Sequence, residues 1–472
     1  MLEKIIDLIK TEKNIIIFGD IVLDKYIEIS SNRLSSETII PVMTQGKKDY
    51  FLGCSGNVAK IINEFNTNVF LLTCIGNNNK KISEICENEK INIDYSIFLD
   101  DYKQTKKRYI NNNNQYFRLD NCQKFDYDKH KDLIKNNLLK CIKDTKIDML
   151  IICDYQLGFC DDLNYIIQIA KENNIKIIID PHGYDLVKYK GCDVFKPNKK
   201  ELEQLSGIFI KNNTDLINAA KKIQNIINSK LIITTLGSDG IFYYKNDKDS
   251  NIIPTNKINF IDVCGAGDTI NSIISLGLLR NMSIEDICLI ANYYASISIK
   301  KIGTSKLYFY EILDVIKKPI DLRLEDLVVF TKYIKKYDNL KIGITTGCFD
   351  IFHSGHLESL RFAKSKCDIL ILLLNSDISI KKLKGSNRPI NKLEHRKSLL
   401  MQLDFIDFIT VFDERDANPI IDKLYFNILF KGGDYNIEEL KEKFPNVKIM
   451  ISSYKSNIST TIIENKIKYL KN

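Results

Sequence analysis

The chain is predicted to fold into two unequal α/β domains, and three features of the sequence support this. Short apolar runs alternate with longer amphipathic segments, which is typical of a largely parallel sheet covered by helices. This alternation stops after Gly303-Thr304-Ser305 and begins again at Lys341. A length of 472 residues, 44% of them hydrophobic, allows a core for each domain. We therefore expect a larger first domain and a smaller second one.

Five candidate strands of the first domain each end in a polar or glycine-containing turn. They are residues 15–18, 69–74, 149–153, 175–179 and 231–235. In such folds ligands bind beyond the carboxyl ends of the strands, so we expect the chemistry at these turns. The polar, Asn-rich segments 38–46 and 105–119 indicate either a small β lid over the site or plain edge hairpins, and we favour the lid.

The segment that follows is charged and helix-prone, and it predicts a connecting helix before a second α/β pattern. The candidate strands of this second pattern are residues 341–346, 368–374, 408–411, 428–430 and 448–451. The predicted organisation is thus a first domain over residues 1–316, a linker helix over 317–339 and a second domain over 340–472.

Composition narrows the location and the partners of the protein. Twelve cysteines are scattered singly without a C-x-x-C pair, which indicates reduced thiols in a cytoplasm and argues against structural zinc. The net charge of +8 is spread along the chain, so it suits anionic small molecules better than nucleic acid. Apolar runs are too short to span a bilayer, and residues 1–10 do not form a signal peptide. We expect no nucleic-acid or membrane partner.

A glycine-rich turn, Asp262-Val263-Cys264-Gly265-Ala266-Gly267-Asp268-Thr269, connects an apolar segment to a helical pattern. Glycines let the backbone approach a ligand closely, and the free amides and dipole at a helix start favour phosphate. Asp268 is placed to take a proton from a hydroxyl that attacks the phosphate. A plain strand-to-helix connection would contain the same residues, so this turn alone leaves both interpretations open.

Two turns near the amino terminus carry residues that suit a polyhydroxyl ligand. Asp20 and Asp24 flank the end of the first predicted strand, and Gly53 and Asn57 belong to a turn that opens a helix. Carboxylates and an amide at such positions can hydrogen-bond to sugar hydroxyls. Solvation of the aspartates and helix capping by Asn57 are the alternatives, and they are favoured when these residues are considered alone.

Two later turns carry residues that suit a nucleotide. Asn198 and Glu201 lie three apart at a helix start, where they could hold water around Mg²⁺ or form a capping box. Thr235, Gly237 and Gly240 belong to a turn that follows a buried strand and could accommodate phosphate. Neither turn decides between these interpretations by itself.

Taken in order, these motifs resemble the ribokinase-type carbohydrate kinase family over about residues 10–310. The resemblance implies a three-layer ribokinase-like fold with a β lid, and phosphoryl transfer from ATP to a sugar. It implies Asp268 as the base and the amides of Gly265, Ala266 and Gly267 as the anion hole, which fits a reaction dominated by positioning and charge stabilisation. The resemblance also implies that the sugar phosphate contacts Asp20, Asp24, Arg33, Gly53, Asn57, Lys106, Arg108 and Arg118. ATP would contact Asn198, Glu201, Thr235, Gly237 and Gly240. Mg²⁺ would be held through water by Asn198 and Glu201.

The second half contains His353-Ser354-Gly355-His356 at the start of a predicted helix. Two imidazoles and free amides beside one point could stabilise the charge of a nucleoside triphosphate that is attacked by another phosphate. A zinc pair or satisfied surface histidines are the alternatives. Zinc is disfavoured because the chain has only five histidines and no third ligand near this motif.

This half resembles the cytidylyltransferase-like nucleotidyltransferase family over about residues 340–472. The histidines match its H-x-G-H motif, and the basic loop 381–385 and the segment 458–461 match further motifs. The resemblance implies a smaller Rossmann-like domain that takes ATP. In that domain His353 and His356 would contact the triphosphate, Lys382 and Arg388 would help with its charge, and Ser459, Thr460 and Thr461 would close on the nucleotide.

In its domain order the chain is similar end to end to the bifunctional heptose-phosphate kinase/adenylyltransferase family. This implies phosphorylation of D-glycero-β-D-manno-heptose 7-phosphate to the 1,7-bisphosphate, and adenylyl transfer from ATP to the 1-phosphate for lipopolysaccharide core. A homodimer through the lid follows by analogy. The chain departs from the family pattern at Cys54-Ser55-Gly56, Asn112, His182 and Ser36. We expect these departures to affect the fit to the sugar. The alternatives are the same reactions on another sugar phosphate or with another nucleotide, and a non-catalytic sugar-phosphate sensor.

Overall fold

The computed structural model describes residues 2–77, 79–111, 114–255, 261–314, 319–432, 437–445 and 447–452. The chain forms two compact units, one of residues 11–311 and the other of residues 1–10 with 312–472. The larger segment of the second unit begins at Ile312, close to the predicted end of the first domain at residue 316. The amino-terminal segment, which the sequence analysis assigned to the first domain, belongs to the second unit.

The described residues form twenty strands, which are numbered in chain order. They are β1 Lys13–Gly19, β2 Ile21–Leu34, β3 Pro41–Cys54, β4 Thr67–Leu72, β5 Cys74–Gly76, β6 Ile97–Leu99, β7 Gln104–Asn111, β8 Asn114–Cys122, β9 Met149–Cys153, β10 Lys176–Asp180, β11 Val194–Phe195, β12 Leu231–Thr235, β13 Ile241–Asn246, β14 Asp249–Ile253, β15 Ile320–Asp321, β16 Ile342–Gly347, β17 Ile369–Asn375, β18 Phe408–Phe412, β19 Ile428–Gly432 and β20 Lys448–Ser452.

The same residues form fifteen α-helices. They are α1 Leu2–Asp7, α2 Ser55–Ile62, α3 Lys80–Asn88, α4 Tyr127–Asp144, α5 Asn164–Glu172, α6 Lys199–Ser206, α7 Asn213–Ile227, α8 Ala266–Leu279, α9 Ile284–Ser298, α10 Leu324–Ile334, α11 Ser354–Lys364, α12 Asp377–Lys384, α13 Leu393–Leu400, α14 Asn418–Ile421 and α15 Ile437–Lys443. Within the described residues, none of these helices is both long and apolar enough to cross a membrane.

The larger unit is built on a sheet of eight strands in the order β14-β13-β12-β11-β10-β9-β1-β4. The six strands from β4 to β12 in this order are parallel, and β13 and β14 add an antiparallel edge. Strand β9 is apolar and buried along its whole length, as expected when both faces of a parallel sheet are covered. On one face Leu150 and Ile152 share a core cluster with Leu138 of α4 and Ile223 of α7. All five predicted strands of this domain are present.

A second sheet, with strand order β3-β2-β7-β8, forms the predicted β lid. Strand β2 is antiparallel to β3 and parallel to β7. Strand β2 was not predicted from the sequence, because Ile21–Leu34 mixes apolar and charged residues without a clear period. The first four residues of β2 are buried and the last five are exposed, so one end of the lid joins the body of this unit and the other reaches solvent. Asn112 lies outside the described residues.

The second unit contains a fully parallel sheet in the order β15-β18-β17-β16-β19-β20. All five predicted strands are present, in keeping with a Rossmann-like domain. The segment predicted as a linker is part of this unit, because β15 pairs with β18 and α10 buries its apolar face. Asp326 of α10 is fully buried and pairs with Lys10 at 2.7 Å and with Arg323 at 2.9 Å. The pair with Lys10 fastens the amino-terminal segment to α10.

Candidate active sites

The larger unit has a cavity of about 250 Å³ at the carboxyl ends of its parallel strands. Its walls come from the ends of β9 to β12, from the lid strands β2 and β7, and from the start of α8. The lining residues are Asp24, Cys54, Lys106, Arg108, Tyr155, Asp180, His182, Lys196, Asn198, Glu201, Thr235, Cys264, Gly265, Gly267, Asp268 and Thr304. The cavity thus gathers residues from most of the turns that the sequence analysis selected.

Asp268 lies in the first turn of α8 and is 9% exposed. Asn57 Nδ2 donates a hydrogen bond to its Oδ2 at 2.7 Å, and the Tyr155 hydroxyl donates one to its Oδ1. Burial raises the pKa of Asp268, while these two donors and Lys196 act in the opposite direction. A carboxylate with a raised pKa at the wall of a cavity has the properties of a general base.

The turn before Asp268 requires glycine at the N-cap position of α8. Gly265 is the N-cap of α8 with a φ of 81°, in the left-handed region that favours glycine. A Cβ there would lie 2.9 Å from Asn57 Nδ2, so the close approach of α2 also excludes a side chain. Gly265 and Gly267 line the cavity at the positive end of the α8 dipole. The Ala266 amide already donates to Val263 O at 3.3 Å, which reduces its availability to an anion.

Asp20 lies in a different place from the substrate contact that was predicted. It is 3% exposed, it does not line the cavity, and its carboxylate accepts backbone amides of Tyr155, Leu157 and Phe159 at 3.0 to 3.1 Å. Burial raises the pKa of Asp20 to about 6, although the three amides lower it. Its role in the structure is to fix the turn after β9, and this turn carries Tyr155.

Asn57 and Gly53 also lie behind the cavity wall. Asn57 is 2% exposed and contacts Asp268, and its Oδ1 is buried without a hydrogen-bond partner in the described part of the chain. A side chain at Gly53 would clash with the carboxylate of Asp24. The two residues therefore shape the positions of Asp268 and Asp24, and Asn57 does not act as a simple helix cap.

The lid contributes a buried ion pair and a lysine to the cavity. Arg108 of β7 pairs with Asp24 of β2, and the two side chains are only 10% and 6% exposed. Lys106 lines the same cavity two residues earlier on β7. Arg33 lies on the exposed end of β2, and Arg118 pairs with the exposed Asp120 at 2.8 Å. Neither of these two predicted substrate contacts lines the cavity, because both lie on the solvent-exposed part of the lid.

Asn198 and Glu201 form a complete capping box at the start of α6. The Glu201 amide donates to Asn198 Oδ1 at 2.9 Å, and the Asn198 amide donates to Glu201 Oε2 at 2.7 Å. Both residues nevertheless line the cavity, and Glu201 Oε1 lies 3.9 Å from His182 Nε2. Burial raises the pKa of Glu201, and His182 lowers it. The capping and cavity interpretations are thus compatible.

The remaining predicted nucleotide contacts follow β12. Thr235 lines the cavity, and its backbone forms an isolated parallel β-bridge with that of Asn198. Gly237 begins a 3₁₀ turn with a φ of 64°, and Gly240 closes that turn with a φ of 100°. The two glycines continue from the cavity along a turn that a side chain would strain.

Two contacts at this cavity were not predicted from the sequence. Lys196 and Asp180, each 3% exposed, form a buried ion pair at 2.9 Å between the ends of β10 and β11. Tyr155 joins the turn after β9 to Asp268, and its ring packs on His182 with centroids 4.4 Å apart. A polar residue just after each strand was the available signal, but only the sheet order shows which of these residues meet.

The second unit has a cavity of about 520 Å³ at the carboxyl ends of β16, β17, β18 and β19. The lining residues are Thr346, Gly347, Cys348, Phe349, Asp350, His356, Asn375, Leu383, Lys384, Phe412, Arg415, Asp416, Ala417, Asn418, Lys431, Glu439, Leu440 and Lys443. Four of them are lysine or arginine and three are aspartate or glutamate, so the lining carries a small excess of positive charge, which suits an anionic ligand. Ser459, Thr460 and Thr461 lie outside the described residues.

His353 is the N-cap residue of α11, and His356 lies in the first turn of that helix. Their rings stack with centroids 3.9 Å apart, and both Nδ1 atoms are buried without a hydrogen-bond partner among the described residues. Burial lowers the pKa of His356 to about 4, with contributions from His353 and Lys384, and burial lowers that of His353 as well. Near pH 7 two neutral imidazoles therefore stand at a helix amino terminus, where anions are favoured.

The basic residues predicted for the triphosphate have unexpected partners. Arg388 donates to Asp350 Oδ2 at 2.6 Å and does not line the cavity. Burial alone would raise the pKa of Asp350, but backbone amides and Arg388 lower it. Lys382 is exposed and donates to Asp413 O at 3.0 Å, whereas Lys384, two residues later, lines the cavity. The turn of α12 decides which lysine faces inward.

Two further basic residues of this site were missed in the sequence. Lys431, at the end of β19, lines the cavity and donates to Thr346 Oγ1 at 2.8 Å, and burial lowers its pKa to about 8. Arg396 is 3% exposed and donates to the carbonyls of Cys348 and Asn375 at 2.8 Å. Arg396 therefore ties together the ends of β16 and β17 from behind the cavity.

These two sites define a carbohydrate kinase joined to a nucleotidyltransferase, and the comparisons with known proteins agree. Residues 13–308 match the pfkB family of carbohydrate kinases, and residues 344–468 match the cytidylyltransferase-like family. Among solved structures, phosphofructokinase-2 from Escherichia coli covers 64% of this chain and 98% of its own, with a TM-score of 0.54 at 17% identity. This likeness supports the ribokinase-like fold of the larger unit.

Full-length relatives identify the combination. "Bifunctional protein HldE" of Aliarcobacter butzleri is 32% identical over 97% of this chain and 99% of its own. The protein of the same name in Helicobacter hepaticus is 33% identical over 95% of this chain and 96% of its own. The chain belongs to the HldE family of bifunctional proteins. It is a bifunctional transferase, and the predicted heptose phosphorylation and adenylyl transfer fit this membership.

Proposed function

We propose that Asp268 deprotonates the anomeric hydroxyl of D-glycero-β-D-manno-heptose 7-phosphate as that oxygen attacks the γ-phosphate of ATP. The observation that carries this proposal is the buried carboxylate at the cavity wall, in the first turn of α8. The amides of Gly265 and Gly267 would stabilise the charge of the transferred phosphoryl group. Ala266 would contribute less, since its amide already donates to Val263.

The lid residues supply the proposed sugar site. Asp24 and Arg108 hold each other at the cavity wall, where a carboxylate and a guanidinium can both hydrogen-bond to sugar hydroxyls. Lys106 is the cation that we assign to the distal phosphate, because it lines the cavity while Arg33 and Arg118 do not. Asn57, Gly53 and Asp20 act behind this surface by fixing its shape.

We assign ATP to the part of the wall formed by Asn198 and Thr235 and to the adjoining turn that contains Gly237 and Gly240. Mg²⁺ binds one or two carboxylates together with waters and substrate phosphates. Glu201 fits this requirement through water, since Oε2 is used in the capping box and Oε1 faces His182 at 3.9 Å. Asn198 Oδ1 accepts the Glu201 amide in the same box, and its second lone pair could accept a hydrogen bond from a water of the hydration shell. Bound there, Mg²⁺ would neutralise charge on the phosphates.

In the second unit we assign adenylyl transfer from ATP to D-glycero-β-D-manno-heptose 1-phosphate, which gives ADP-heptose and pyrophosphate. A phosphate oxygen of the sugar 1-phosphate attacks the α-phosphate, and the bond to pyrophosphate breaks. We assign hydrogen bonds with the triphosphate to His356, which lines the cavity, and to His353, which stacks on it outside the lining, while Lys384 and Lys431 would balance the charge from the cavity wall. Arg388 would act indirectly by holding Asp350.

We infer that the protein is a cytoplasmic enzyme that supplies lipopolysaccharide core synthesis. All twelve cysteines lie among the described residues and are free, as expected in a reducing compartment. Exposed apolar side chains lie on strand β8 of the lid, such as Tyr116 at 59%, and in the connection between β2 and β3, such as Ile39 at 92%, which supports a homodimer through the lid. Sedimentation of the whole protein would test the dimer, and a monomer at micromolar concentration would exclude it.

Phosphorus NMR tests the pair of reactions directly. With ATP, Mg²⁺ and heptose 7-phosphate, we expect an anomeric phosphate signal that depends on the enzyme. With ATP and heptose 1-phosphate, we expect a sugar-nucleotide diphosphate signal and pyrophosphate. If other sugar phosphates reacted instead, the heptose assignment would be wrong while the reaction types would stand. If neither reaction occurred with any sugar phosphate, a sugar-phosphate sensor would be the better description.

A further inference from the structure

Tyr155 is held at three points beside the base of the kinase site. Its backbone amide donates to Asp20 Oδ2 at 3.0 Å, and its ring packs on His182 with centroids 4.4 Å apart. Its hydroxyl donates to Asp268 Oδ1. Because the backbone, the ring and the hydroxyl are all fixed, Tyr155 can hold Asp268 in one orientation.

The two hydrogen bonds on Asp268 are not equivalent with respect to the cavity. Tyr155 lines the cavity, whereas Asn57, which donates to Oδ2 at 2.7 Å, lies behind its wall. A sugar hydroxyl that enters the cavity therefore meets the Oδ1 side of the carboxylate. A carboxylate oxygen can accept more than one hydrogen bond, so Oδ1 can hold Tyr155 and a sugar hydroxyl together.

We propose that Tyr155 is a positioning residue of the kinase reaction, and that its hydroxyl orients Asp268 Oδ1 toward the sugar and stabilises the ionised carboxylate. The inference rests on the proposed role of Asp268 as the base. In the reaction the sugar O–H bond breaks, its proton passes to Asp268, and the freed oxygen forms a bond to the γ-phosphorus as ADP leaves. Tyr155 keeps its own proton throughout.

The surroundings of Asp268 allow the contribution of Tyr155 to be separated from other charges. The titratable groups that act on this carboxyl or respond to it are Asp180, Lys196, Lys60, Cys54, Cys153 and Cys264. Removing the Tyr155 hydroxyl leaves all of them in place. Because the lost donor stabilises only the carboxylate form, its removal raises the pKa of Asp268 and the base is protonated at a higher pH.

The test is Tyr155→Phe in the full-length protein, with the pH dependence of kcat/KM for sugar phosphorylation as the readout. We expect the acidic limb to move upward by about one pH unit and kcat to fall about tenfold. Tyr189→Phe is the matched control, because the Tyr189 hydroxyl also donates to a buried carboxylate, Asp154 at 2.5 Å, but does not line the cavity. Its kinase pH profile should match that of the wild type.

Adenylyl transfer and thermal unfolding, measured on the same preparations, separate a local effect from misfolding. An acidic limb that stays in place in Tyr155→Phe, at any level of kcat, overturns the inference. A shift of equal size in Tyr189→Phe also overturns it, since the effect would then come from the fold. Failure of the proposed function is recognised differently, because Asp268→Asn would then keep its kinase activity whatever Tyr155→Phe does.

Discussion

Replacing Asp268 by asparagine should separate the two activities of the protein without unfolding it. The new side chain keeps the shape of the carboxyl group but cannot accept a proton at neutral pH. Its Oδ1 can still accept from the Tyr155 hydroxyl. Its Nδ2 would face Asn57 Nδ2, which now donates at 2.7 Å, so two donors would meet.

Asn57 can relieve this conflict by turning its amide. Its Oδ1 is buried without a hydrogen-bond partner in the described residues, and after the turn it can accept from the new Nδ2. After the turn Asn57 Nδ2 is the buried atom without a partner, in place of Asn57 Oδ1. The substitution also removes a buried carboxylate. We therefore expect the free energy of unfolding to change by about 1 kcal/mol or less, a shift in Tm of about 2 °C.

The effect on catalysis should be far larger. A general base contributes about 10²- to 10⁴-fold, which corresponds to about 3 to 5 kcal/mol at 1.36 kcal/mol per tenfold. Sugar phosphorylation, followed by ADP release, should fall by that factor in Asp268→Asn. Adenylyl transfer to supplied sugar 1-phosphate, followed by pyrophosphate release, should stay within twofold of the wild type. Kinase activity above a tenth of the wild-type value, or loss of both activities in a folded variant, would refute the reasoning.

Three further predictions concern the other cavity residues. His356→Ala should reduce adenylyl transfer at least 100-fold and leave sugar phosphorylation intact, because the imidazole stands at the second cavity only; pyrophosphate and ADP release measure the two rates. Lys106→Met should raise the KM for sugar phosphate about tenfold with little change in the KM for ATP. Lys107→Met is its control, since neighbouring residues of a strand point to opposite faces and Lys107 does not line the cavity; equal effects would exclude a specific phosphate contact. For adenylyl transfer, kcat/KM should fall above about pH 8, because Lys431, whose pKa burial lowers to about 8, is charged below that pH and neutral above it. Lys431→Arg should move this alkaline limb upward, and an unchanged limb would show that Lys431 is not the titrating group.

The sequence predicted which turns form the sites better than it predicted what each side chain in those turns contacts. Asp20 was expected at the sugar, but it binds three backbone amides of the turn after β9. Lys382 and Arg388 were expected at the triphosphate, but the one is exposed and the other pairs with Asp350. In each case the residue type was suitable, and only the rotation of a helix or the path of a loop decides whether the side chain reaches the cavity.

The sequence by itself determined the two α/β domains, ten of their strands and the turns that carry chemistry. It could do so because apolar periodicity and glycine-rich turns are local properties of the chain. The tertiary structure decided which turns meet. Tyr155 and Asp268 are 113 residues apart, and Lys431 and Thr346 are 85 apart. Their contacts depend on the order of strands in each sheet, which no local pattern records. The same holds for residues 320–334, where a charged segment that looked like a linker provides an edge strand and a packed helix of the second unit.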